Sequence, residues 1–211
     1  IYAHRGSSVA HPELTMAAYK AAIDEGADGF ECDVRLTKDN QLVLWHDADM
    51  KRVAGNDARI TDSTFNEIKS HYPQAITLEE LLVLARDHKK ELAIETKHPV
   101  PTGSAVEKKV MQLLAQEKAV ADIHIMSFSW LALENVRKID PTQSTVALLE
   151  DRFSGLMRRF TSAKTIAPSI HNLRENPQLG RDKRNLFVWT VDDVDDMRFC
   201  AGNGVDVLIT N

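Results

Sequence analysis

Strand-sized apolar runs alternate with helical patterns along nearly the whole chain, and that alternation limits the fold more than any other feature. The runs cover residues 1–4, 29–34, 42–46, 92–96, 123–127, 145–149, 165–168, 186–191 and 205–210. Several are continuously apolar, as expected of parallel strands buried on both faces. Helical periodicity fills residues 14–25, 78–88, 105–117, 130–139 and 193–201. Thr77, with Glu80 three residues later, forms a sequence-level capping box, and Asp192 and Asp193 suit the positive end of the last helix dipole. Regular β/α alternation leaves a closed barrel or an open doubly wound sheet. The Gly-rich first turn of a nucleotide-binding open sheet is missing, so the expected fold is α/β, a single (β/α)8 TIM-type barrel spanning residues 1–211. Only seven residues separate Val34 from Leu42, too few for a helical crossover. Either they return as a hairpin arm, or one of the nine runs lies outside the barrel wall.

Catalytic groups of such barrels sit at the C-terminal ends of the strands, and this sequence concentrates its reactive side chains there. The first run ends in His4-Arg5-Gly6, the second in Glu31-Cys32-Asp33, the third in His46-Asp47 and the fourth in Glu95-Thr96-Lys97. Residues i and i+2 of a strand share a face. Glu31 and Asp33 therefore point together while Cys32 turns into packing, and Glu95 joins Lys97. Three convergent carboxylates repel one another unless compensated, and a hard divalent cation, Mg²⁺ or Ca²⁺, suits oxygen ligands. His4 and His46 titrate near neutrality and serve proton transfer. Arg5 and Lys97 supply the positive charge that grips a phosphate. Gly6 marks a close backbone approach or an unusual turn.

Composition narrows the partners. The formal net charge of -5 runs against a nucleic-acid surface, and no apolar stretch approaches the ~20 residues of a membrane helix. The expected partner is a small-molecule substrate. Cys32 and Cys200 form neither a disulfide framework nor a metal spacing. A cytoplasmic location is expected, with an extracytoplasmic one left open because the first residue already lies in a strand.

Taken in order, Ala3-His4-Arg5-Gly6, Pro12-Glu13-Leu14-Thr15, Glu31-Cys32-Asp33-Val34, Trp45-His46-Asp47, Ile94-Glu95-Thr96-Lys97, Val188-Trp189-Thr190-Val191 and the closing residues 204–210 resemble the glycerophosphodiester phosphodiesterase family. The resemblance implies a barrel enzyme that hydrolyses glycerophosphodiesters to sn-glycerol 3-phosphate and an alcohol through a cyclic phosphate. It implies His4 and His46 as the acid–base pair, Glu31, Asp33 and Glu95 as ligands of Mg²⁺ or Ca²⁺, Arg5 and Lys97 on the phosphate, and Trp189 lining the glycerol or alcohol side. Three departures stand out, one being that the family's long inserted segment between the third and fourth strands is short here, which is expected to matter for substrate selection. Leu14 occupies the place where the family has Asn, and the stretch from Arg52 to Gly55 is looser than the family's arginine-threonine pattern.

Other polar residues receive simpler readings. His11, His71, His88 and His124 lack clustered partners, His98 borders the cleft at most, and the acidic run from Asp192 to Asp196 reads as a helix start with a solvated face. The rival functions are a phospholipase D-like phosphodiesterase acting on choline lipids, a non-catalytic barrel binding module and a metal-dependent sugar isomerase. No exposed hydrophobic loop is evident in the sequence, which favours the small, water-soluble substrate.

Overall fold

A computed structural model describes residues 1–116, 122–149, 154–181 and 183–211. The elements begin with β1 (Tyr2–His4), α1 (Met16–Asp24), β2 (Gly29–Leu36), β3 (Leu42–Leu44), β4 (Asp49–Met50), α2 (Lys51–Ala54) and β5 (Asn56–Arg59). Next come α3 (Phe65–His71), α4 (Leu78–Asp87), β6 (Glu91–Thr96), α5 (Ala105–Gln116), β7 (Ile123–Ser127) and α6 (Trp130–Ile139). The chain continues through β8 (Ser144–Leu149), α7 (Ser154–Phe160), β9 (Thr165–Pro168), α8 (Ile170–Glu175), β10 (Asn185–Val188), α9 (Val194–Gly202) and β11 (Val207–Thr210). Among the described residues, no helix is long and apolar enough to cross a membrane.

β1, β2, β6, β7, β8, β9, β10 and β11 pair in that order, every pair parallel, and β11 closes on β1. This is the expected barrel. The third run, residues 42–46, is the one outside the wall. β2 outlasts its pairing with β6 and folds back on itself, so that β3 lies antiparallel along it with Val34 opposite Leu44 and Leu36 opposite Leu42. The turn passes through Asn40 at φ 59, a left-handed conformation that Asn tolerates. Both readings of the short connection therefore hold at once.

Inward and outward residues alternate along the wall. At the bottom the rings of Tyr2, His124 and Phe187 close the interior, with Tyr2 and Phe187 centroids 5.9 Å apart and edge-on. Gly29 leaves room for this plug, because a Cβ there would stand 2.7 Å from the Tyr2 ring. Ala93, Met126, Val146, Leu148, Ala167 and Ile209 fill the middle. The outward set, including Phe30, Cys32, Val34, Leu92 and Ile94, packs under α1, α4 and α5. Each such fully buried side chain stabilises the fold by about 2 kcal/mol.

Helix limits follow their caps. α1 starts later than the periodicity suggests because Thr15 is its N-cap, its side chain accepting from the Ala18 N–H. The Thr77–Glu80 capping box forms as expected, and a second box, Thr64–Glu67, starts α3. The expected end of α5 at Glu117 lies outside the described residues. The short helices α3, α7 and α8 were not anticipated, since six or seven residues carry too little periodicity to read. Between β3 and α4 a small layer packs Trp45, Met50, Ile60, Ile68 and Ala75 together.

Candidate active site

Strand register assembles the expected groups at the C-terminal rim. In the parallel ladders His4 lies opposite Glu31, and Asp33 lies opposite Glu95. Partners in a ladder face the same side, so all four side chains enter the barrel mouth. The hairpin brings in His46: Trp45 N–H donates to the Asp33 carbonyl at 3.0 Å, and Arg35 holds the His46 carbonyl through Nε at 3.0 Å and Nη2 at 2.7 Å. His46 thus reaches the same rim as Glu31, which the sequence alone left open.

The first loop is bent sharply. Arg5 sits at φ 60 and Gly6 at φ 81. A Cβ on Gly6 would lie 2.7 Å from the Ala18 backbone, so close approach and an unusual turn are both required there. The Arg5 N–H donates to both the carbonyl and Oε2 of Glu31, each at 3.2 Å. Leu14, where the family has Asn, is also left-handed, at φ 57, and its N–H donates to the Arg5 carbonyl at 2.9 Å. Leu14 is buried in the core cluster beneath α1.

Glu31, Asp33 and Glu95 are buried and each offers one carboxylate oxygen, all within 4.8 Å of one another. Lys97 Nζ lies 2.7 Å from Glu95 and 3.1 Å from Asp33. Arg5 Nε stands 3.1 Å from Asp33 Oδ2 but out of hydrogen-bond alignment, so Asp33 Oδ2 is buried with no hydrogen bond. Three carboxylates against two cations leave an excess of negative charge away from water. Burial, then Asp33 and Glu95, push the Glu31 carboxyl well above the usual range. Burial and Asp33 push Glu95 up to about 7 against the opposing pull of Lys97. Asp33 is raised by burial, yet Lys97 and Arg5 outweigh it and hold the group below its ordinary value. Lys97 is lowered by burial but raised further by Asp33 and Glu95. A buried carboxylate oxygen without a hydrogen bond, inside a cluster short of positive charge, fits a divalent cation.

The two histidines have unlike partners. His4 Nδ1 lies 2.7 Å from Asn211 Oδ1. The Asn211 Nδ2 donates to Asp192 Oδ2 at 2.8 Å and its N–H to Asp192 Oδ1 at 2.9 Å. The amide nitrogen is therefore turned to the carboxylate and the amide oxygen to the imidazole, so His4 carries its proton on Nδ1 and presents Nε2, 3.9 Å from Glu31, to the cleft. His46 Nδ1 lies 2.8 Å from Asp47 Oδ1. Burial, then Arg5, lowers the pKa of His4; burial, opposed by Asp33, lowers that of His46.

His4, Arg5, Glu31, His46, Glu95 and Lys97 line a cavity of about 300 Å³ together with the apolar Met126, Phe128, Leu148, Trp189 and Ile209, and Asp33 sits buried behind it against Lys97 and Arg5. Trp189 Nε1 donates to the Ala167 carbonyl at 2.8 Å, and the Phe128 ring meets it edge-on at 5.6 Å. All eight expected site residues are thus gathered at one mouth. The sequence reading missed Asn211, Asp192, Glu13 and Asp47 as partners of that set. Glu13 and Asp47 belong to the family-like motifs but carry no pattern that signals a role, and Asp192 has the sequence signature of a helix start. The sequence reading also leaves out the exposed apolar side chains that follow β7: Phe128, which lines the cavity, and Trp130 and Leu131 at the start of α6, 41% and 59% exposed. His98 does not enter the cavity; its Nε2 lies 2.7 Å from the buried Glu107.

The Glycerophosphoryl diester phosphodiesterase family matches residues 4–211. A Mycobacterium tuberculosis protein named probable glycerophosphodiester phosphodiesterase 1 is 35% identical, covering 97% of this chain and 86% of its own. A glycerophosphodiester phosphodiesterase of Caldanaerobacter subterraneus is 33% identical, covering 100% and 93%. The crystal structure of the Thermotoga maritima glycerophosphodiester phosphodiesterase superposes with a TM-score of 0.78 at 27% identity, covering 99% and 92%. Sequence and fold agree, and the chain belongs to the glycerophosphoryl diester phosphodiesterase family.

Proposed function

We propose that this chain hydrolyses glycerophosphodiesters to sn-glycerol 3-phosphate and an alcohol. The observation that carries the reading is a cluster of three buried carboxylates, two of them lining the same cavity as two cations and two histidines, in a chain of this family. Glu31, Asp33 and Glu95 would hold Mg²⁺ or Ca²⁺, which supplies positive charge to the phosphate oxygens and acidifies a bound hydroxyl. Arg5 and Lys97 bind and orient the phosphate, and Trp189 with its apolar neighbours lines the glycerol or alcohol side.

In the first step the free glycerol hydroxyl next to the ester attacks phosphorus. Its proton passes to His4 Nε2, the nitrogen left bare by the bond of Nδ1 to Asn211. The phosphorus–oxygen bond to the alcohol breaks, and His46 protonates the departing oxygen. The Asp47 carboxylate beside Nδ1 favours the imidazolium that this donation needs. The product of the step is a five-membered cyclic phosphate. Water opens it in the second step, with His46 now accepting a proton and His4 returning one, and the phosphate remains on the glycerol.

The test is release of glycerol 3-phosphate from a panel of glycerophosphodiesters with and without a chelator. Release that stops with chelator and returns with Mg²⁺ or Ca²⁺ is the expected result. Undiminished release in chelator would remove the cation from the reading, and no release from any diester would remove the activity.

One observation favours a second reading, a phosphodiesterase acting on choline lipids. Phe128, in the loop after β7, lines the cavity and is 37% exposed, contrary to the expectation that no hydrophobic loop is exposed, and Trp130 and Leu131 at the start of α6 are exposed next in sequence. Turnover of lysophosphatidylcholine against glycerophosphocholine separates the two.

A further inference from the structure

We infer that Arg52 is a positioning residue that holds an acid–base histidine and a phosphate-binding arginine in place together. The inference rests on the reaction proposed above. Arg52 belongs to α2, in the layer outside the barrel wall, and its side chain is 49% exposed. Its guanidinium is nevertheless spent on two carboxylates of the rim. Nε donates to Asp47 Oδ2 at 2.6 Å. Nη1 donates to Glu13 Oε2 at 3.0 Å and Nη2 to Glu13 Oε1 at 2.6 Å, a parallel pair.

Each carboxylate has a second engagement. The other oxygen of Asp47 takes His46 Nδ1 at 2.8 Å. Glu13 accepts from Arg5 Nη1 at 3.3 and 3.4 Å. His46, Asp47, Arg52, Glu13 and Arg5 therefore form one continuous chain of bonds around the mouth. Two carboxylates that share a guanidinium repel each other once it is gone. Asp47 then loses the contact that directs one oxygen at His46, and Glu13 competes with the substrate phosphate for Arg5. The planar fork matters, because an ammonium cannot make the parallel pair to Glu13 and reach Asp47 as well. An exposed ion pair contributes little to folding stability, so the consequence of the arrangement falls on geometry.

The charged groups that face His46 are Asp47, Asp33, Lys97 and Arg5, with Arg35 on its carbonyl. None of the others is bonded to Arg52 directly, so the direct route from Arg52 to His46 runs through Asp47, with Glu13 and Arg5 as the longer one.

The experiment compares wild type, Arg52→Ala and Arg52→Lys by steady-state kinetics on glycerophosphocholine and by imidazole NMR of His46 in the unliganded full chain. Arg52→Ala should lower kcat/KM by about 10- to 100-fold, the range for losing a group that orients an active-site ligand. The His46 Nδ1 proton should move upfield and exchange faster. Added guanidinium should restore part of the rate in Arg52→Ala, and Arg52→Lys should fall between the two. Wild-type kcat/KM in Arg52→Ala overturns the inference. So does a slow variant whose His46 Nδ1 proton is unchanged, or a lower melting temperature as the sole effect, which would make Arg52 only a staple of the layer. If the wild type itself cleaves no glycerophosphodiester, the proposed activity fails, while the NMR comparison still decides whether Arg52 orders His46.

Discussion

His4 Nδ1 and Asn211 Oδ1 lie 2.7 Å apart, a bond that joins β1 to the residue just after β11 where the barrel closes. It sets the tautomer of the imidazole, because the Asn211 amide nitrogen is already committed to Asp192. Asn211→Ala should therefore lower kcat by about 10- to 100-fold, a part of the full acid–base contribution, with a smaller change in KM. Steady-state kinetics on glycerophosphocholine check this. Wild-type kcat in the variant would mean that His4 is oriented by something else.

The carboxylate cluster costs the fold stability, as expected of the proposed cation site. Glu31 is buried beside Asp33 and Glu95, and its carboxyl is held well above its ordinary value by burial first and by those two neighbours next. Glu31→Gln removes a buried carboxyl whose raised pKa lowers stability above the ordinary carboxylate range, while keeping an oxygen to accept from the Arg5 N–H. The metal-free variant should melt about 2–4 °C higher, equivalent to about 1 kcal/mol for a chain of this size. The rise in melting temperature on adding Mg²⁺ or Ca²⁺ should vanish. A variant that melts lower without metal, or that keeps the metal-dependent rise, contradicts the assignment of Glu31.

At Leu14, two opposed effects decide the sign of a substitution. The residue is left-handed at φ 57, which costs about 1–2 kcal/mol for a branched side chain and less for Asn. Its side chain is 4% exposed within the main core cluster, which contributes about 2–3 kcal/mol. Burial wins, so Leu14→Asn should destabilise the chain by about 1 kcal/mol despite restoring the family's residue. Urea denaturation measures this. Greater stability in Leu14→Asn would show that backbone strain dominates.

The plug at the bottom of the barrel predicts an acid-sensitive fold. Burial lowers the pKa of His124 from 6.5, against the opposing Glu91 and Asp122. The folded state keeps the imidazole neutral, whereas the unfolded chain protonates it at the ordinary value. This contribution is complete above about pH 6.5 and is lost as pH falls through the lower folded value. Melting temperatures at pH 7.5 and 5.5 should differ less in His124→Gln, which retains a partner for Ser144 Oγ but does not titrate. An equal pH dependence in the two proteins would exclude His124 as a contributor.

The sequence by itself determined the class of fold and most of the site. Continuous apolar runs separated by helical periods dictate parallel strands with crossovers, and all nine runs are strands. Period-2 alternation dictates that Glu31 pairs in direction with Asp33 and Glu95 with Lys97, because the pleat of one strand is a local property. Short helices such as α8 left no trace, since six residues span under two turns.

Tertiary structure decided how the sites on separate strands meet. Closure of β11 on β1 carries Asn211 to His4 across nearly the full length of the chain, and no periodicity encodes that pairing. The return of β3 along β2 places His46 beside Asp33, where the sequence allowed two arrangements. The grip of Arg52 on Glu13 and Asp47 joins two loops that share no strand. The physical reason is the same in each case. Side-chain direction follows from neighbouring residues, whereas register, closure and loop-to-loop contact are fixed by long-range hydrogen bonding and packing that only the folded chain contains.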